Sequence, residues 1–195
     1  MGKKTLKKGK DYTVSYKNNK NIGTATVVIR GKGSYAGKVE KTFKITVRKG
    51  SVYTIDKVTY KITNKKTNGE GTVTLTGVTN PSAVKKLTVG STVEIGGVEF
   101  KITAIGVAAL KNCKKLLKVE IGENVKKIEK QAFQGSKKLK TIVVKSEKLT
   151  SIGANAISGI HAKAQIQVPA AKVKAYKKLL KKSVGFKKTM KVVGK

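Results

Sequence analysis

Residues 102–122 read ITAIGVAALKNCKKLLKVEIG, and the chain returns to that pattern twice. VKKIEKQAFQGSKKLKTIVVK fills residues 125–145, and LTSIGANAISGIHAKAQIQVP fills residues 149–169. Set in register, Ile105, Ile128 and Ile152 coincide, as do Ala109, Ala132 and Ala156, then Leu110, Phe133 and Ile157. Further along, Val119 matches Ile142 and Ile166, and Ile121 matches Val144 and Val168. The spacing is 23 residues and then 24, with the extra residue in the turn KSEKL. A fixed period of that size marks a stacked-repeat architecture.

One such unit cannot bury its apolar side alone, so neighbours must stack and share a continuous core. The segments LLKVEI and LKTIVV follow the L-x-x-L-x-L strand pattern of leucine-rich repeats, with a period in the same range of about 20 to 29 residues. Leu116, Val119 and Ile121 are expected to point inward, as are Leu139, Ile142 and Val144. The residues between them then face out: Lys118, Glu120, Thr141, Val143, Gln165 and Gln167. If the stack curves as leucine-rich repeats do, these six line its concave sheet and form a polar, mixed docking strip. Against this stands its width, since three strands are narrow beside a stable interface of roughly 1,200 Å².

Three units are a short stack, so both ends need covers. Residues 50–103 supply hairpins, VYTIDKVTYKIT and STVEIGGVEFKIT, with turns near Asp56-Lys57 and Gly96-Gly97. They are expected to cap the stack at its start, leaving 104–195 for the repeats and a helical end cap. In PAAKVKAYKKLLKK, Pro169 opens a helix that places Val173, Tyr176, Leu179 and Leu180 on one face. A basic amphipathic helix could also lie on a membrane, but this stripe is short and has neither Trp nor Phe.

Residues 1–49 have another rhythm. DYTVSY places Tyr12, Val14 and Tyr16 on one face, GTATVVI follows, and KTFKITV places Phe43, Ile45 and Val47 together. The joins KNNKNIG and GKGSYAG are rich in Asn and Gly. GKGSYAG misses the phosphate-cradling GxGxxG by one residue, and a strand follows where a helix should open, so it reads as a hairpin turn. Three strands with a lead-in from Leu6 make half of a β-sandwich, which needs about 100 residues in full. The expectation is that the chain begins partway through a module.

Charge sets the chain apart: 44 basic residues against 10 acidic ones among 195, for a formal +34. Only Arg30 and Arg48 are arginine. Such a field attracts polyanions without saying which. Nucleic-acid readers place arginine forks on guanine and stack aromatics on bases, whereas here aromatics are 5% and lysines run along the whole chain. Specific nucleic-acid recognition is not expected, although non-specific sticking is.

Cys113 is the only cysteine, with Lys111, Lys114 and Lys115 close by in sequence. Ammonium neighbours lower a thiol pKa and can make it a nucleophile. Yet Cys113 aligns with Ser136 and Ile160, positions that share modest size rather than reactivity, so the thiol is expected to face the core. One cysteine excludes an intrachain disulfide, and His161 has no HxxxH or HExxH partner. None of the ten carboxylates forms a spaced pair with a histidine or nucleophile motif. No catalytic residue, metal site or cofactor is expected. No run is long enough to span a bilayer, and MGKKTLKKGKDY has the charge of a signal n-region without the apolar stretch. Either the protein stays inside, or the sequence is a piece of a longer one.

The units AIGVAALKNCKKLLKVEIGENVKKIEKQAFQGSKKLKTIVV resemble the BspA-like leucine-rich repeats of bacterial surface proteins, with consensus roughly I-G-x-x-A-F-x-G-C-x-x-L-x-x-I-x-I. The closing LTSIGANAISGIHAKAQIQVPAAKVKAYKKLL looks like the last repeat of such proteins of the Firmicutes type, and the first 49 residues are similar to an Ig-like surface repeat. The third unit departs from the pattern: it lacks the cysteine and has His161-Ala162-Lys163 where leucine belongs. The resemblance implies an extracellular, wall-associated protein that binds a host or matrix protein and is no enzyme. The expected architecture is mainly β: a partial Ig-like sandwich module, then a short capped leucine-rich solenoid with a C-terminal helix, as a monomer. A second reading is a spacer whose lysines hold anionic cell-wall polymers for a larger secreted protein.

Overall fold

The structure is a computed structural model that describes residues 5–19, 23–65 and 71–195. It divides into two compact units after Val47. In the first, β1 (Tyr12–Lys17), β2 (Gly23–Gly31) and β3 (Lys38–Ile45) form one antiparallel sheet in chain order. The turn expected at 17–23 lies partly outside the described residues. The β2–β3 join is a hairpin, with the Gly31 N–H donating to the Gly37 carbonyl at 3.0 Å. Tyr16 stands opposite Val27 and Phe43 opposite Ala25, so the two rings rise on one face from the outer strands, on either side of β2. They meet edge to face with centroids 6.4 Å apart. Among the described residues of this unit there is one sheet and no second to close a sandwich. Several of its apolar residues stay open, with Tyr16 53%, Val39 51% and Phe43 40% exposed, while Ala25 and Val28 of β2 are buried.

The second unit opens with β4 (Val52–Ile55), β5 (Val58–Asn64), β6 (Gly71–Val78), β7 (Lys86–Val89), β8 (Thr92–Ile95) and β9 (Val98–Ile105). The repeats follow as β10 (Lys118–Ile121), β11 (Lys127–Ile128), β12 (Thr141–Val144), β13 (Ser151–Ile152) and β14 (Gln165–Val168). Helix α1 (Val173–Leu179) and β15 (Lys191–Gly194) end the chain. The strands sort into two sheets. One is five-stranded and wholly parallel, in the order β7-β10-β12-β14-β15. The other runs β13-β11-β9-β6-β5-β4, with β8 paired to β9. The hairpins β4–β5 and β8–β9 turn on Asp56-Lys57 (φ 47° and 68°) and Gly96-Gly97 (φ 59° and 75°). Two successive left-handed residues are the type I′ geometry that matches strand twist.

Each repeat is one coil: a short strand of the second sheet, a run of turns, then a strand of the parallel sheet. The aligned apolar columns fill the core, where Leu110, Leu116, Phe133 and Leu139 are fully buried. All six residues expected to point inward are 4% exposed or less. Backbone groups in the turns find partners in the next coil, which removes the cost of burying them. Leu110 N–H donates to the Ala132 carbonyl, Phe133 N–H to Ala156, and Ile157 N–H to Val184, at 2.7, 2.7 and 2.9 Å. Ala108, Gln131 and Asn155, at one coil position, all adopt left-handed φ between 52° and 57°.

The structure departs from the sequence expectations in three places. First, residues 50–103 do more than cap, because β7 is the opening strand of the parallel sheet. Second, the C-terminal cover is a helix followed by a strand, with β15 adding to β14 in parallel. Tyr176 on α1 anchors this cover by donating to the Ser146 carbonyl at 2.8 Å and accepting the Leu149 N–H at 3.1 Å. Third, the third coil keeps the buried place of Leu116 and Leu139 but fills it with Ala164. Its turn closes from Ala164 N–H to the His161 carbonyl, as Leu116 closes to Cys113 and Leu139 to Ser136. One residue is missing between that place and the strand, so alignment by strand set Lys163 against the leucines.

Candidate functional site: the outward face of the parallel sheet

Strand alternation decides which side chains face out. In β10, Val119 and Ile121 are fully buried while Lys118 and Glu120 are half-buried on the other side. Parallel pairing without a register shift then aligns equivalent residues across coils. Lys118 lies beside Thr141 and Thr141 beside Gln165, making one row. Glu120, Val143 and Gln167 make a second. All six residues singled out in the sequence therefore share one face. Val143 is only 8% exposed, because a short valine sits between two longer side chains.

The sequence reading missed the two outer strands. β7 extends the rows with Lys86 and Thr88, and β15 extends them with Lys191 and Val193. A signal for β7 existed: VKKLTVG matches LLKVEIG at a distance of 32 residues, with Val89-Gly90 over Ile121-Gly122. The inserted β8–β9 hairpin broke the 23-residue period and hid it.

Charge on this face is arranged rather than scattered. Glu120 accepts from Lys118 Nζ at 2.6 Å and from Lys145 Nζ at 3.1 Å, while Gln167 Nε2 donates to Gln165 Oε1 at 2.9 Å. A cleft of about 510 Å³ at the C-terminal ends of the strands gathers Glu120, Glu123 and Glu147 with Lys118, Lys145 and Lys195. The Lys118 hydrogen bond, then that of Lys145, holds the Glu120 carboxyl below its ordinary value of 4.5. The clasp's stability is present above that ordinary value and is lost as pH falls through the lower folded one. NMR titration of Glu120 should give a midpoint under 4.5, and Lys118→Met should move it upward. A midpoint unchanged by Lys118→Met would show that the ammonium does not hold the carboxylate in solution.

Cys113 does not take part. The thiol is fully buried, as its alignment with Ser136 and Ile160 led us to expect, and burial raises its pKa, while Lys114 and Lys115 are exposed. Its backbone N–H donates to Ser136 Oγ at 3.0 Å, and Ser136 in turn donates to the Leu110 carbonyl at 2.8 Å. His161 accepts the Lys163 N–H at Nδ1, within its own turn. Among the described residues no group of three or more His, Cys, Asp or Glu side chains could hold a metal ion. No helix there is long and apolar enough to cross a membrane.

The coil pattern, with its Ile-Gly start, Ala-Phe or Ala-Leu turn and closing strand, matches the model of the BspA type leucine-rich repeat region over residues 90–188. The chain belongs to the BspA-type leucine-rich repeat family. Solved structures of similar proteins include a leucine-rich cell surface protein from Faecalibacterium prausnitzii, 21% identical with a TM-score of 0.47 over 64% of this chain and 34% of that one. The pneumococcal vaccine antigen PcpA is 19% identical, with a TM-score of 0.42 over 64% and 42% of the two chains. A leucine-rich repeat protein from Bacteroides ovatus is 21% identical, with a TM-score of 0.41 over 61% and 38%. This BspA-type chain thus spans between a third and a half of the length of each. No curated protein matches it.

Proposed function

We propose that this BspA-type chain is a non-catalytic binding segment of a bacterial surface protein, which docks a host or matrix protein on the outward face of its parallel sheet. The observation that carries this reading is the register of five parallel strands, which sets two unbroken rows of side chains on a packed core. Repeat folds bind through such surfaces because a rigid sheet presents many side chains with little ordering cost on association. The rows offer hydroxyl, amide, ammonium, carboxylate and aliphatic groups, the mixture a protein surface requires. Five strands also span about 19 Å, wider than the three read from the repeats. The lysine field speeds encounter and the face supplies specificity.

The test places photo-crosslinking residues at Thr141 and Gln165 on this face, and at Lys61 on β5 of the other sheet. Each variant is exposed to a panel of immobilised extracellular-matrix proteins. Cross-links to one panel member from the two face positions, without any from position 61, support the proposal. Equal yields from all three positions, or none from the face, overturn it.

A further inference from the structure

The turn that precedes β10, β12, β14 and β15 is the same in four successive coils. It closes through Leu116 N–H to the Cys113 carbonyl, Leu139 to Ser136, Ala164 to His161 and Met190 to Lys187, at 2.9–3.0 Å. The closing residues Leu116, Leu139, Ala164 and Met190 are all buried, which fixes every turn in the same orientation. The two central residues of each turn therefore recur along one edge of the stack, and all are exposed. They are Lys114-Lys115, Lys137-Lys138, Ala162-Lys163 and Lys188-Thr189. Six of eight are lysine, and none is acidic, arginine or aromatic.

Coils repeat at about 4.8 Å, so the two columns run for about 14 Å along the stack. Like charges side by side at that spacing destabilise a sheet, and no carboxylate in these turns offsets them. The opposite edge differs, since Glu120, Glu123 and Glu147 there face Lys118, Lys145 and Lys195 in one cleft. The coil spacing is also shorter than the screening length of about 8 Å at physiological ionic strength, so neighbouring lysines act on a ligand together.

We propose that this turn edge is a docking track for a flexible, base-free phosphodiester polymer. A polymer with phosphates six backbone bonds apart has the reach of two amino-acid residues per repeat, about 7 Å extended, and can contract to follow the coils. Lysine suits it, being a mobile point charge that takes phosphate without demanding a fixed fork. The lack of arginine and aromatic side chains leaves nothing to read or stack a base. The track is separate from the sheet's outward face and needs no part of the docking proposed there.

The test uses the full chain and an oligomer of poly(glycerol phosphate), with an oligothymidylate of equal phosphate number as comparison. Two variants remove the same charge: Lys114, Lys115, Lys137 and Lys138 to Gln on the track, and Lys101, Lys126, Lys127 and Lys148 to Gln at exposed sites elsewhere in this unit. Removing four track contacts should flatten the slope of log affinity against log salt by about 3, whereas the second set should change it by under about 1. Ala162→Lys, which fills a gap in one column, should tighten binding about twofold at low salt. Circular dichroism melts check that every variant is folded. Equal losses from the two sets would mean that bulk charge alone binds the polymer, and would overturn the track. Tighter binding of the oligothymidylate would overturn the base-free assignment.

Discussion

Phe133→Ala will lower the stability of the repeat unit by about 3–5 kcal/mol, read as the shift of a urea unfolding curve. Phe133 is fully buried in the column between Leu110 and Ile157, which are themselves buried. Its own backbone N–H is committed to the Ala156 carbonyl at 2.7 Å. Coils on both sides hold the site open, so the structure cannot collapse into the cavity, and the loss falls at the upper end of such substitutions. Val107→Ala, at a residue 51% exposed in the same turn region, should change stability by less than about 0.5 kcal/mol. A Phe133→Ala loss near 1 kcal/mol would mean that the aligned apolar columns are not the shared core.

Gly122→Ala should cost about 3 kcal/mol for the opposite reason, overpacking. A Cβ at Gly122 would lie 2.5 Å from the Gly90 carbonyl oxygen and 2.8 Å from the Ser91 nitrogen. The obstruction is backbone of the preceding coil, which has no flexible side chain to yield. The paired glycines Gly90 and Gly122 thus let β7 and β10 leave the sheet side by side. Gly97→Ala is the comparison: its Cβ would meet nothing within 4 Å, and its cost comes only from φ of +75°. That cost should stay near 1 kcal/mol. If Gly122→Ala melts with the wild type, β7 does not stack on β10 at the distance described.

The contrast between these two sites shows what a sequence discloses. Phe133 was legible because burial in a stack repeats, and Leu110, Phe133 and Ile157 recur at one period. The direction of Lys118, Glu120, Thr141, Gln165 and Gln167 followed from simple alternation within each strand. β7 and β15 were not legible in the same way. The first is displaced by an inserted hairpin, and the second follows a helix that looked like the end of the stack. The third coil was misread at Lys163, because strand spacing counts residues while the fold conserves a turn and a buried place, taken by Ala164. Cys113 was legible as well. Charges adjacent in sequence suggested a lowered pKa, but its alignment with Ser136 and Ile160 placed the thiol toward the core, where it is fully buried and burial raises its pKa. Lys115 and Lys138 already coincide at the 23-residue period, and it took the recurrent turn closed by Ala164 to give Lys163 the same place.

If specific docking belongs to the sheet's outward face and not to net charge, it will show in the salt dependence of binding to whichever matrix protein cross-links at Thr141, for the wild type and for Gln165→Arg with Gln167→Arg. Both added charges are positive, so a purely electrostatic partner would bind the double variant as well or better. Wild-type binding should retain a salt-resistant part up to about 500 mM, beyond the range where exposed charges interact at a distance. The double variant should lose that part. Binding that vanishes with salt in both proteins, or a variant that binds as the wild type does at high salt, would contradict it.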